Sequence, residues 1–152
     1  MSSDPVSQSS LRPSLQQLRS TFLKLHKALL EFERREYEQI HGRIASPHEF
    51  LRLAMGDDWF NWLRPFSQFI VQMDDVLASK DPFTVEQVKQ LVETAHMLIQ
   101  ASEEGSLEQQ RYFYAIQRDF DTAILHVEVA KLLNEQFDDK NHSHQLKDVW
   151  VT

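Results

Sequence analysis

The chain has 152 residues, a formal charge of −7 at neutral pH and no cysteine. That length suits one domain with its own core, and the missing cysteines exclude disulfides, thiolate metal sites and cysteine nucleophiles while fitting a cytoplasmic setting. The acidic balance argues against nucleic acid or an anionic membrane as partner, since both are captured by a basic face.

The opening MSSDPVSQSS has neither a positive n-region nor an apolar h-region, and no later stretch approaches the roughly 20 apolar residues of a membrane span. Residues 1–10 are expected to be disordered, 11–137 to form a helical bundle domain and 138–152 a polar tail. A stripe of Leu11, Leu15, Leu18, Phe22, Leu25, Leu29 and Phe32 follows at steps of four and three, which predicts a helix from about Pro13 to His41, stopped by Gly42. The next position of that stripe is Glu36, so a carboxylate is expected where the core wants an apolar side chain.

Ser46-Pro47-His48-Glu49 has the form of a capping box with proline in the first turn, predicting a short helix to Met55 that Gly56 closes. A third helix is expected after Asp57 or Asp58, with Trp59, Trp62, Leu63, Phe66, Phe69, Ile70, Met73 and Leu77 on one face. Pro65 predicts a kink near Asn61 to Pro65, or two abutting helices. After the Asp81-Pro82 loop, Thr84 and Gln87 open a helix with Val88, Val92, Ala95 and Ile99 inward, ending near Glu104 and Gly105. The last helix is expected to start at Ser106 with Gln109 as capping partner, and to carry Phe113, Ile116, Phe120, Ala123, Val127 and Ala130 inward until it frays near Phe137.

Four long amphipathic segments with short connections give an all-α fold, an antiparallel up-down-up-down four-helix bundle with one additional short helix. In that arrangement Glu36 lies along the stripe, with Glu33 and His26 on its flank, His96 at the edge of the fourth apolar arc, and Arg64 and Tyr112 near enough to line a pocket. Two carboxylates and two imidazoles are a ligand set for non-haem iron, manganese or zinc. The other reading is a structural acid, with Glu36 satisfied by Arg64 or a tyrosine and the histidines at the core boundary. The Glu-x-x-His spacings at Glu38–His41 and Glu93–His96 do not complete the carboxylate pattern of di-iron bundles, and His142-Ser143-His144 lies in the polar tail.

Trp59 to Phe66 is the densest aromatic segment, and Tyr112 to Tyr114 is expected at the same bundle end. Phe60 falls off the inward face there, which makes it the interface candidate. No glycine-rich phosphate loop and no ordered catalytic triad is present. Two functions follow. The first is a non-enzymatic interaction or regulatory module that engages a protein partner or forms a homodimer, with no cofactor. The alternative is a metal- or small-ligand-binding bundle, an oxidoreductase if the metal is redox-active, built on His26, Glu33, Glu36 and His96.

Overall fold

The stripe Leu15, Leu18, Phe22, Leu25, Leu29 and Phe32 is buried along a single helix, α1 (Gln8–His41), in the computed structural model, which describes residues 8–138. Helix α1 begins ahead of the expected Pro13, which sits inside it and forfeits one backbone bond within the first two turns. Gly42 ends it with φ +88°, a left-handed conformation that glycine adopts without steric penalty.

Ser46 caps α2 (Pro47–Gly56) by accepting from the Glu49 N–H at 3.1 Å, while the Glu49 carboxylate pairs with Arg52 at 2.8 Å. The expected break before Pro65 takes the form of two abutting helices. A 3-10 helix spans Asp58–Leu63, and α3 runs Arg64–Ala78 with Pro65 in its first turn, where a missing N–H costs nothing. Thr84 and Gln87 complete a capping box at the start of α4 (Val85–Leu98).

Two further boundaries differ from expectation. Helix α4 stops at Leu98 rather than near Glu104, because the following loop folds back onto α5 (Leu107–Arg118). The Gln109 side chain closes this corner by accepting from the Ser106 N–H at 3.0 Å and donating to the Gln100 side chain at 2.9 Å. A Cβ on Gly105 would sit 1.7 Å from the Gln109 Oε1, so a larger residue there would displace the Gln109 side chain from its cap. The last segment is also not one helix. Asp119 adopts extended backbone (φ −120°, ψ 114°) between α5 and α6 (Phe120–Leu132), and a π-helical turn, Leu133–Asp138, follows.

Cross-links fix the directions. Arg19 meets Asp74 at 2.7 Å and Arg12 donates to the Leu77 carbonyl at 2.9 Å, so α1 and α3 are antiparallel. Arg35 meets Asp119 at 2.7 Å and Ser14 donates to Gln136 at 2.8 Å, so α1 and the α6 segment are antiparallel too. Between them Phe22 packs edge-on to Phe69 with centroids 4.9 Å apart. The described part is all-helical, with six α-helices and no strand. None of these helices is long and apolar enough to cross a membrane.

Another difference lies in the register of α5 and α6. The inward residues are Tyr112, Ala115, Thr122, Val129 and Leu133, whereas Phe120 is 77% exposed and Val127 61% exposed. Of the expected stripe, Phe120 and Val127 therefore face out while Ile116 and Ala130 pack against the edge of the core, and a stripe interrupted by Asp119, Thr122 and His126 faces inward. Hydrogen bonds make this register possible, since they satisfy those polar side chains inside.

Candidate functional site

Glu33 on α1 is the buried carboxylate of the molecule's aromatic end, with only 2% of its surface exposed. Arg111 on α5 donates to its Oε1 at 3.2 Å and also to the Trp59 carbonyl at 3.3 Å. The same guanidinium lies over the rings of Trp59 and Trp62, 5.7 and 5.9 Å from their centroids. Burial pushes the Glu33 carboxyl above its ordinary pKa, and the Arg111 charge and donors from Arg111, Trp59 and Trp62 pull it back. Both indole nitrogens, Trp59 Nε1 and Trp62 Nε1, are buried without a hydrogen-bond partner of good geometry among the described residues. Both indoles nonetheless act to lower the Glu33 pKa. The result is an acid held by one cation and two indoles, a structural knot joining α1, the 3-10 helix and α5.

Glu36, one turn further on, is half-buried rather than central, with the Tyr114 hydroxyl 3.4 Å from its Oε1. The core has ended by this point, since Ile40 on the same side of α1 is 70% exposed. Arg64 is not the partner of either acid. It donates to the Met55 carbonyl at 2.8 Å, and Arg111 takes the role expected of it.

Tyr112 is buried and its Oη lies 2.8 Å from the His126 Nδ1 on α6. Burial raises the phenol pKa and lowers that of the imidazole, so the hydrogen bond joins a neutral phenol to an imidazole whose neutral form is favoured. His26 is half-buried, and its pKa too is lowered by burial. It lies seven residues from Glu33, roughly 10 Å along the helix, and His96 lies half-buried near the end of α4. Among the described residues no three His, Cys, Asp or Glu side chains converge as metal ligands. His142 and His144 lie outside the described residues.

Phe60 is 1% exposed, so it does not offer an interface. In the 3-10 helix successive residues step by about 120°, which turns Phe60 under α2 against Phe50 and Tyr37, with centroids 5.8 and 5.7 Å away. Exposed large apolar side chains occur on several of the helices, and on α6 three of them share one face. Phe120, Ile124 and Val127, spaced by four and three, form one outward line, and Ile124 is 42% exposed. Beside this line, a cavity of about 570 Å³ separates α6 from α1, lined by Lys24, Lys27, Ala28, Glu31, Arg35, Asp119, Asp121, Ile124 and Leu125.

Three elements escaped the sequence reading: Arg111, His126 and the outward line of α6. Arg111 is 78 positions from Glu33, and no local pattern links them. His126 did carry a signal, since Tyr112, Ala115, Asp119, Thr122, His126, Val129 and Leu133 follow steps of three and four as regularly as the more apolar stripe. No family model, curated protein or solved structure matches this chain.

Proposed function

We propose that this protein is a non-enzymatic helical interaction module that binds another polypeptide through the outward line of α6. The observation that carries the reading is that α6 is apolar on both sides, burying Val129 at 0% exposure while leaving Phe120 77% exposed. Exposed apolar residues clustered on one face of a helix mark interaction surfaces. As scaffold, the reading takes α1, α3, α4 and the α5–α6 pair as an antiparallel four-helix bundle with α2 as the additional short helix. The absence of cysteine supports a cytoplasmic setting.

The metal- or ligand-binding alternative has no comparable support, because Glu33 is engaged by Arg111 and Tyr112 by His126. The test is a photo-cross-linking residue at position 124 of the full chain, in cells, with position 51 on α2 as an exposed apolar control. Discrete adducts to one protein species at 124, absent at 51 and lost when Phe120→Asp and Val127→Asp are added, are expected. Adducts equally diffuse at both positions would sink the proposal.

A further inference from the structure

The corner where α3, α4 and α5 meet holds a cavity of about 270 Å³. Trp62, Pro65, Phe66 and Leu98 form its floor, Met97 stands exposed at its edge, and the one charged side chain lining it is Glu108. The Gln100, Ser106 and Gln109 side chains on its loop side are engaged with one another through the α5 cap. The Glu108 carboxylate, in contrast, makes no hydrogen bond or ion pair among the described residues. The seat is thus apolar and aromatic, with one unengaged acceptor. An indole suits it, because its rings pack on aromatic, proline and thioether surfaces while its N–H needs a single acceptor. Two other cavities differ in character. The groove between α3 and α4 is walled largely by Gln72, Asp75, Gln87, Gln90 and Thr94, and the α1–α6 cavity carries six charged side chains.

We infer that this corner cavity receives Trp150 from the chain's own C-terminal segment, which lies outside the described residues. The apolar residues of 139–152 are Leu146, Val149, Trp150 and Val151, and Trp150 is the aromatic one. The described chain stops at Asp138, one residue past the buried Phe137, where Gln136 binds Ser14 near the start of α1 and the π-helical turn packs beside α4. Pro65 and Phe66 face Met97 and Leu98 across one cavity, and Asp75 and Val76 face Gln87 and Gln90 across another, so α3 and α4 are antiparallel. Since the start of α1 lies beside the end of α3, Asp138 is near the start of α4, and the cavity is at the far end of that helix, roughly 20 Å away. An extended chain covers about 40 Å between positions 138 and 150, which leaves slack for a path over the surface of α4. A connection of this length keeps the indole beside the cavity at an effective concentration on the order of millimolar, which favours it over an untethered partner of the same chemistry. Charge does not oppose docking, because Asp139, Lys140, Lys147 and Asp148 cancel and the acidic rim of Glu103, Glu104 and Glu108 meets a segment of no net charge. Seated there, Trp150 donates its N–H to Glu108 and covers Met97, which is otherwise 67% exposed. The cavity shares no residue with the outward line of α6, so the two readings stand or fall separately.

The experiment is nuclear magnetic resonance of the three indole N–H groups of the full chain, with Trp150 assigned by its loss in Trp150→Phe. The expected result is a Trp150 N–H that exchanges with solvent about tenfold or more slowly than a free indole. That protection should vanish in Met97→Asp, which sets a charge at the mouth of the cavity and, at so exposed a position, leaves the fold intact. Cysteine pairing reads the location. Since the chain has no cysteine, Met97→Cys with Val151→Cys should close a disulfide within one chain under mild oxidation, and Ile124→Cys with Val151→Cys should not. A Trp150 N–H that exchanges as fast as a free indole overturns the inference. So does a protected N–H indifferent to Met97→Asp, because the indole then sits elsewhere. Pairing through Ile124→Cys instead of Met97→Cys overturns it as well and places the segment on α6. A disulfide that joins two chains rather than closing within one overturns it in favour of a second copy as occupant.

Discussion

Single side chains test how α1 and α6 are oriented. Leu25 is fully buried, so Leu25→Ala should cost about 2–5 kcal/mol through lost contacts and a residual cavity. Phe120→Ala should change stability by less than about 0.5 kcal/mol, since the ring is 77% exposed. Urea unfolding of both variants measures the contrast, and an equal loss would mean that α6 is turned the other way. Arg111→Met tests the knot around Glu33. At neutral pH it leaves a buried carboxylate without its cation, and a loss of about 3–5 kcal/mol is expected. Removing Arg111 also raises the Glu33 pKa further, because its charge and donors held that pKa down. Part of the loss should therefore return as the pH falls through that raised value and the carboxyl protonates. A loss independent of pH would assign the effect to packing of the Arg111 stem on the two indoles.

At the scale of elements, the break at Asp119 governs where α6 points. The Asp119 carboxylate accepts from the Thr122 N–H at 3.0 Å and the Thr122 hydroxyl at 2.7 Å, and it pairs with Arg35. Asp119→Ala removes the cap and the pair together, and a loss of about 1–2 kcal/mol with reduced helicity by circular dichroism is expected. The α5–α6 contact carries a pH dependence through His126. Its folded pKa is depressed below 6.5 by burial, so its contribution is present above that value and is lost as the pH falls through the folded pKa. His26 acts in the same direction, whereas Glu33, with a raised pKa, acts in the opposite one. Between about pH 7 and pH 5 the thermal midpoint should fall, and His126→Gln should flatten that fall. An unchanged slope in the variant would show that His126 titrates freely.

For the whole molecule, the question is why Phe120, Ile124 and Val127 line up in water on one face of a single helix. Exposing them forgoes burial of about 1.5–3 kcal/mol per side chain, a cost that association would recover. The double variant Phe120→Asp with Val127→Asp is expected to keep the far-UV spectrum and cooperative melting of the parent while losing association. A variant that unfolds would show that the α6 line belongs to the core of the single chain.

Sequence periodicity was sufficient to define the helical class, the buried line of α1, the caps at Ser46, Thr84 and Ser106, and the split before Pro65. Each of these depends on residues within about one helical turn of one another. The apolar face of α3 was legible for the same reason. Along α5 and α6, where two stripes share the same spacing, periodicity placed Ile116 and Ala130 correctly against the core but misplaced Phe120 and Val127. Only the tertiary structure decided between them, because the inward stripe depends on hydrogen bonds made elsewhere in the fold: Tyr112 to His126, and Asp119 to Arg35 on α1. The same holds at the candidate site. An acid could be read as buried in the second half of α1, but the choice of Glu33 over Glu36 followed from where the core ends. The choice of Arg111 over Arg64 followed from contacts between segments far apart in the chain. Local spacing specifies which faces a helix has; packing against other helices decides which face is buried.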